Sequence, residues 1–231
     1  MGSLEGYTSV GFDFNAGATE YDTMLGEPHK YYVQLKVRLL QKELENRMGN
    51  LSDLSLLDVG CGTGLAEALL ATGERYLTGL DLAGDMLRIA KTRCAHASYV
   101  RADSVGGIPF PDNTFDAAFC FALMHHLAQD QRRRAMREIV RVTKPDGYVL
   151  TFEHNPANPF TRHVVHECAI DEAVELIRPA EMVCLHREVG LHVVSVKYLV
   201  FFPRLFSFLG SLESLLHRIP FGGQYEVVGR K

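Results

Sequence analysis

The sequence predicts an α/β domain built on one doubly wound, mostly parallel sheet. Short apolar runs alternate with amphipathic stretches between residues 54 and 153. This rhythm is typical of parallel strands joined by right-handed helical crossovers. The first apolar run ends in Gly60-Cys61-Gly62-Thr63-Gly64, where a buried strand must turn sharply into a helix. Both observations point to a sheet covered by helices on its two faces.

The elements follow in order along the chain. An amphipathic helix is expected over residues 29–48, because its apolar side chains recur at helical spacing and Gly49 is a suitable stop. Strands are expected at 54–59, 76–81, 99–102, 115–121 and 148–153, and helices between them at 65–71, 84–93 and 129–142. Past residue 153 we expect helices near 161–177 and 179–190, then strands at 191–202 and 225–229.

Ligands of doubly wound sheets bind at the carboxyl ends of the strands. The glycine turn, Asp81, Asp103 and Phe121 are expected to share that rim. Glycines have no side chain, so a ligand can approach the backbone of the turn closely. The N–H groups at the start of the following helix can bind a carboxylate of that ligand. The carboxylate of Asp81 can accept both hydroxyls of a ribose. A dinucleotide fingerprint would place a third glycine where this chain has Leu65.

Several motifs carry a family resemblance. Residues 57–64, Leu-Asp-Val-Gly-Cys-Gly-Thr-Gly, resemble motif I of the class I S-adenosylmethionine-dependent methyltransferases. Residues 108–116 resemble that family's lead into strand four, and residues 144–150 its turn into strand five, with Asp146 in place of a glycine. Phe14-Asn15, Ala18 and Tyr21-Asp22 resemble the opening of the small-molecule subgroup that includes ubiquinone and menaquinone biosynthesis methyltransferases.

The resemblance covers about residues 14–153 and implies a Rossmann-like sheet whose last strand is antiparallel. It also implies S-adenosyl-L-methionine as cofactor and S-adenosyl-L-homocysteine as product. In the family, the glycine turn and the carbonyl at the position of Phe121 face the amino-acid end of the cofactor. The acid at the position of Asp81 binds the ribose. The residues at the positions of Met86, Asp103 and Ser104 face the adenine. The residues assigned to the cofactor are Tyr21, Asp58, Gly60, Cys61, Gly62, Asp81, Leu82, Met86, Asp103, Ser104 and Phe121.

Two histidines are candidate catalytic residues. Methyl transfer is an in-line displacement that the protein mainly aligns, and a base is needed only when the acceptor carries a proton. His126, after strand four, and His154, after strand five, are expected near the acceptor, with packing of the turn as the structural alternative. We expect no metal site, because the adjacent His125 and His126 should point apart.

Composition restricts the partners and the compartment. A net charge of −4 gives no electrostatic case for nucleic acid. Residues 121–124, Phe-Ala-Leu-Met, also lack the Asn-Pro-Pro motif of nucleic-acid amino methyltransferases. The five cysteines form no disulfide pattern, and residues 1–6 do not resemble a secretion signal, so we expect a cytoplasmic protein.

Residues 200–220 are unusually apolar. Pro203, Arg204 and Glu213 argue against a membrane-spanning helix. A helical stripe of leucines at 205, 209, 212 and 216 nevertheless requires cover. The alternatives are packing on the sheet, a lid over a hydrophobic acceptor, a homodimer contact or a peripheral membrane contact.

We therefore expect one methyltransferase domain over residues 1–231. It would consist of an N-terminal helical cap (1–50), a cofactor-binding core (51–153), and acceptor-side helices with the final strands (154–231), including a C-terminal apolar helical insertion. The expected reaction moves a methyl group to O, N or C of a small, hydrophobic metabolite. The alternatives are an S-adenosylmethionine-binding protein without methyl transfer, either a non-methylating enzyme or a scaffold, and a nicotinamide-dependent oxidoreductase.

Overall fold

A computed structural model describes residues 13–70, 76–171 and 174–231. The strands are β1 (Ser55–Val59), β2 (Tyr76–Asp81), β3 (Ser98–Arg101), β4 (Phe115–Phe121), β5 (Thr143–His154), β6 (His192–Leu199) and β7 (Gln224–Arg230). The α-helices are α1 (Ala18–Met48), α2 (Leu65–Leu70), α3 (Gly84–Arg93), α4 (Gln129–Val142), α5 (Pro159–Glu167), α6 (Pro179–Glu188) and α7 (Glu213–Leu216).

The seven strands form one sheet in the order β3-β2-β1-β4-β5-β7-β6. Strands β1 to β5 pair in parallel, whereas β7 is antiparallel to both β5 and β6. The predicted fold class, with its antiparallel last strand, is therefore confirmed. The strand order reverses between β1 and β4, so the crevice expected for ligands lies above these two strands.

The core is divided by the sheet into two layers. Because consecutive strand residues point to opposite faces, Leu56 packs with Leu40 and Leu44 of α1, while Leu57 packs with Met136 of α4 on the other side. All of these side chains are buried. Helix α1 thus covers one face of the sheet, and this packing holds the helix beside the crevice.

Two helices differ from the sequence prediction. Helix α1 begins at Ala18, before the expected start, but Gly26 interrupts it with φ +61° and ψ −162°. Only the part after this kink corresponds to the predicted helix over 29–48. The helix expected near 161–177 is wrong in its second half: α5 ends at Glu167, Cys168 adopts an extended conformation, and a 3-10 turn follows at Ala169–Asp171.

The apolar segment after β6 is a 3-10 helix, Arg204–Leu212, continued by the short α7. Leu205, Phe208 and Leu215 are 81%, 74% and 75% exposed, so packing on the sheet does not cover these side chains. No helix within the described residues is long and apolar enough to cross a bilayer.

Some predictions fall outside the described part of the chain. They include the absence of a secretion signal, which rests on residues 1–6, and the end of the helix over 65–71 at Ala71. All five cysteines lie within the described ranges and are free thiols.

Candidate active site

A cavity of about 650 Å³ lies over the carboxyl ends of the central strands. Its wall includes every residue that the sequence singled out for cofactor or catalysis. These are Tyr21, Asp58, Gly60, Cys61, Gly62, Asp81, Leu82, Met86, Asp103, Ser104, Phe121, His126 and His154. The structure thus brings all of them together, and their contacts with a ligand stay a prediction.

The glycine turn forms the floor of the cavity. Gly60, Gly62 and Gly64 all have positive φ, between +53° and +78°. The amides of Gly60 and Cys61 donate to the Leu80 carbonyl at 2.7 and 3.1 Å, which fixes the turn against β2. A Cβ on Gly62 would have no atom within 4 Å, so open space lies above this residue.

Asp81 connects β2 to the turn. Its Oδ2 accepts from the Gly62 amide and its Oδ1 from the Ala83 amide, each at 2.8 Å. Burial raises the pKa of Asp81, against the lowering effect of these hydrogen bonds. A carboxylate oxygen has more than one lone pair, so both oxygens keep capacity for the hydroxyls of a ribose.

Asp58 lies below the turn beside a second buried acid, Glu67 of α2. Burial raises the pKa of Asp58, and the negative charges of Glu67 and Asp81 raise it further. Burial also raises the pKa of Glu67, to about 7. The Oδ1 atom of Asp58 is buried and has no hydrogen-bond partner among the described residues. An orphaned acceptor at this position fits an ammonium group in the cavity.

The other side of the turn suits an adenine ring. Met86 is buried and packs with Ala18 and Ala83, so part of α1 closes this side. Asp103 follows β3 on the rim, and its Oδ1 accepts from the Val105 amide at 2.8 Å. Ser104 is buried next to it. An apolar surface beside acidic and amide groups can hold a flat base that carries an amino group.

Aromatic residues at the start of the described chain close the cavity from outside. The Phe14 ring lies 6.2 Å from the Tyr21 ring and 5.4 Å from the His126 ring, measured between centroids. The segment from Phe14 to Tyr21 therefore extends along the cavity to His126.

The histidines form one buried cluster with two carboxylates. His125 Nδ1 lies 2.6 Å from Glu153 Oε2, and Glu153 Oε1 accepts from the Met124 amide at 2.7 Å. Asp171 Oδ1 lies 3.5 Å from His125 Nε2 and 3.6 Å from His126 Nε2. The expectation that His125 and His126 point apart is wrong. Although they are consecutive on the 3-10 turn Met124–His126, both rings approach Asp171, and their centroids are 4.2 Å apart.

The histidines differ in their protonation. Burial favours the neutral form of His125, but Glu153 and Asp171 outweigh it and raise its pKa to about 9. Burial, together with the charge on His125, lowers the pKa of His126 to about 3 and that of His154 to about 4. Near neutral pH the last two are therefore uncharged, and their low pKa values make them weak proton acceptors.

The sequence prediction missed Lys36, Glu153 and Asp171. Lys36 is buried on α1, lines the cavity, and has its Nζ 5.0 Å from the centroid of the Phe121 ring. Burial lowers its pKa to about 8, against the opposite effect of nearby acids. Two features of the sequence could have indicated these residues. Lys36 is a charged residue on the apolar face of a predicted helix, and Glu153 is an acid at the end of an apolar strand.

Comparisons with known proteins agree with this geometry. Residues 57–151 match the methyltransferase domain family. An O-methyltransferase of Aspergillus nomiae is 27% identical over 60% of this chain and 64% of its own length. A demethylmenaquinone methyltransferase of Symbiobacterium thermophilum is 32% identical over 47% of this chain and 45% of its own length. The chain thus spans less than two thirds of either relative.

A solved S-adenosylmethionine-dependent methyltransferase of Thermotoga maritima shares the fold. It superposes with a TM-score of 0.68 and 17% identity, over 94% of this chain and 98% of that one. The matched residues include the glycine turn, Asp81, Asp103 and the part of β5 that ends at Thr151. These findings identify residues 57–151 as a class I S-adenosylmethionine-dependent methyltransferase domain, whose cofactor is S-adenosylmethionine.

Proposed function

We propose that the protein transfers a methyl group from S-adenosylmethionine to a small, mainly apolar molecule. The observation that carries this proposal is a shared cavity, which has the cofactor residues along one side and the histidine cluster along another. When bound, S-adenosylmethionine supplies a methyl group on a positively charged sulfur, which a nucleophile can displace directly. The task of the chain is to align that nucleophile and to exclude water.

The acceptor side of the cavity supports the apolar character of the substrate. Helix α5 contributes Phe160, Val164 and Val165, and Ile170 and Val200 add further apolar surface. Phe160 and Val164 are exposed, so they lie where a substrate would enter. Hydrophobic walls with a few polar groups are the usual composition of a small-molecule site.

We assign the proton-accepting role to His126 and His154 because of their position, since their low pKa values alone would make them weak bases. Both line the cavity, and a base is required when the acceptor is a hydroxyl or a carbon acid. The division of the chain into a cap (1–50), a cofactor core (51–153) and acceptor-side elements (154–231) belongs to the same proposal. Its partner is a small molecule rather than a nucleic acid.

The test is methyl transfer from labelled cofactor. Purified protein and S-adenosylmethionine labelled on the methyl group would be incubated with apolar hydroxylated compounds, small polar amines and bulk RNA in separate arms. We expect labelled product and S-adenosylhomocysteine in the apolar arm, and loss of both in Asp81→Asn. Turnover of only the amines, or label in RNA, would contradict the proposed acceptor class.

Two alternatives give different results in the same experiments. A binding protein or a non-methylating enzyme would bind S-adenosylmethionine but label nothing in a complete cell extract. An oxidoreductase would bind NADH, and a fluorescence titration with NADH would show it. We expect no NADH binding, because Leu65 stands where the third glycine of a dinucleotide loop belongs.

A further inference from the structure

Three side chains with metal-binding atoms meet at the histidine end of the cavity. One ligand atom from each of His125, His154 and Asp171 lies within 4.8 Å of the other two. They come from three separate elements: the 3-10 turn after β4, the end of β5, and the 3-10 turn after α5. Two imidazoles and one carboxylate form a donor set that divalent transition metals such as Zn²⁺ and Fe²⁺ take in proteins.

The orientation of His125 agrees with a ligand role. Its Nδ1 is engaged by Glu153 at 2.6 Å, and Glu153 is itself held by the Met124 amide at 2.7 Å. Metal-bound histidines characteristically donate their second ring nitrogen to such a carboxylate. The remaining atom, Nε2, is buried, makes no well-formed hydrogen bond within the described residues, and lies 3.5 Å from Oδ1 of Asp171, the third member of the cluster.

The charge balance of the cluster also favours a cation. Glu153 and Asp171 place two carboxyl groups in the cluster, of which Glu153 is buried and Asp171 is half-buried. Lys36 is the nearby positive side chain whose charge acts on both. Burying uncompensated charge is costly, so a second positive charge is favoured at this place. A proton on His125 is one way to supply it, and a metal ion is the other.

We propose that His125, His154 and Asp171 bind one divalent transition metal ion, with Glu153 orienting His125. All three ligands line the cavity, so the remaining coordination positions of the ion would face the acceptor side. There an oxygen of the acceptor or a water molecule could complete the coordination. With the ion bound, the coordinating nitrogen of His154 cannot accept a proton, so His126 would keep that role. The role of the ion toward the acceptor rests on the proposed methyl transfer, whereas metal binding itself does not.

The experiment uses the full chain without an affinity tag, since a polyhistidine tag would bind the probe. Chelator-treated protein would be titrated with Co²⁺, and we expect one ion per chain with visible absorption bands that Zn²⁺ abolishes. His154→Gln and Asp171→Asn should each weaken Co²⁺ binding at least ~10-fold, and Glu153→Gln by about 10–100-fold. The matched control is His163→Gln, an exposed histidine of α5 outside the cluster, which should bind like the parent.

The outcomes are distinguishable from those of the proposed function. Circular dichroism and calorimetry with S-adenosylmethionine would show that each variant is folded and retains its cofactor site. If the parent protein binds no Co²⁺, or the three variants bind it as tightly as His163→Gln does, the metal site is refuted and the proton-bridged cluster replaces it. Methyl transfer by metal-free protein would leave the proposed function intact, while the metal's role toward the acceptor would be wrong.

Discussion

The Gly62 amide donates to Asp81 Oδ2 at 2.8 Å, so the acid at the end of β2 directly holds the middle glycine of the turn. Asp81 also accepts from the Ala83 amide, and it lines the cavity. One side chain thus fixes the backbone of the glycine turn and keeps lone pairs available at the cavity wall. Its replacement should impair the site in both ways.

Asp81→Asn should weaken S-adenosylmethionine binding by at least ~10-fold. The amide replaces one acceptor oxygen with a donor, which cannot accept from a backbone N–H or from a ribose hydroxyl. Calorimetric titration would measure the affinity. The control is Asp85→Asn, because Asp85 is close in sequence but does not line the cavity. An unchanged affinity in Asp81→Asn would contradict the assignment of this residue.

Gly62→Ala should reduce cofactor affinity more than stability. The positive φ of this residue costs about 1–2 kcal/mol with any L side chain, but a Cβ would meet no protein atom within 4 Å. The added methyl would instead occupy the cavity. Gly49→Ala is a matched control, since Gly49 also has positive φ and open surroundings but lies outside the cavity wall. Equal affinities of the two variants would refute this prediction.

Gly64→Ala should lower the stability of the fold more than Gly62→Ala does, because the added methyl group would clash with neighbouring protein atoms. A Cβ there would lie 2.8 Å from the Ala90 Cβ and 2.9 Å from the Ala90 Cα, where α3 passes close to the turn. We expect an additional loss of about 1–3 kcal/mol in the free energy of unfolding relative to Gly62→Ala. Urea denaturation followed by circular dichroism measures this difference. A Gly64→Ala variant no less stable than Gly62→Ala would contradict it.

The grouping of the glycine turn and Asp81 at one cavity was predictable from the sequence because its parts are local. The turn after β1 and Asp81 at the end of β2 follow apolar strands directly, and strand ends share one rim in a parallel sheet. That Lys36, Glu153 and Asp171 lie close together depends on the tertiary structure. They are far apart in the sequence, and no repeat or spacing in the sequence relates their positions. Asp171 also fell within an expected helix that in fact ends at Glu167.

Lys36→Met should weaken cofactor binding while leaving the fold as stable or more stable. Burial lowers the pKa of Lys36 more than the attraction of nearby acids such as Glu153 and Asp171 raises it, so removing the ammonium relieves a net desolvation cost. In the complex the same ammonium would pair with the carboxylate of S-adenosylmethionine. Calorimetry and thermal unfolding would measure the two effects, with the exposed Lys42→Met as control. A fall in stability without a change in affinity would show that Lys36 serves the fold alone.

Replacing the exposed apolar side chains after β6 should leave the isolated fold intact. Leu205→Ser with Phe208→Ser should change the free energy of unfolding by about 0.5 kcal/mol or less, since both side chains are largely exposed. Leu44→Ala, in the core, should cost about 2–5 kcal/mol. Urea denaturation compares them, and a large loss in the double variant would show that these side chains are packed.

The same double variant tests the predicted homodimer or membrane contact through residues 200–220. Sedimentation velocity would reveal a dimer that forms in the parent and not in the variant. Co-flotation with anionic lipid vesicles would reveal membrane binding by the parent, which the variant should no longer show. If the parent neither dimerises nor binds vesicles, both predictions are wrong and the segment remains available as a lid over the acceptor.

Glu226 should make the fold less stable as the pH rises. It is buried in β7, and neither carboxylate oxygen has a hydrogen-bond partner among the described residues. Burial, with a further contribution from Glu43, raises its pKa from an ordinary value of 4.5 to about 8. Between these two values the folded state holds a proton that the unfolded state has released. Stability must therefore fall with increasing pH across this window, by up to about 1.4 kcal/mol per pH unit.

Glu226→Gln removes this titration while keeping the shape of the side chain. The variant should gain stability relative to the parent as the pH increases from about 5 to 8, and the difference should level off above that range. Urea denaturation at a series of pH values would measure it. Glu45→Gln, at an exposed position of α1, should show no such gain. Parallel pH profiles for Glu226→Gln and the parent would mean that Glu226 is ionised in the folded protein. Its charge would then be compensated by Lys197, which lies opposite it on β6 and lowers its pKa.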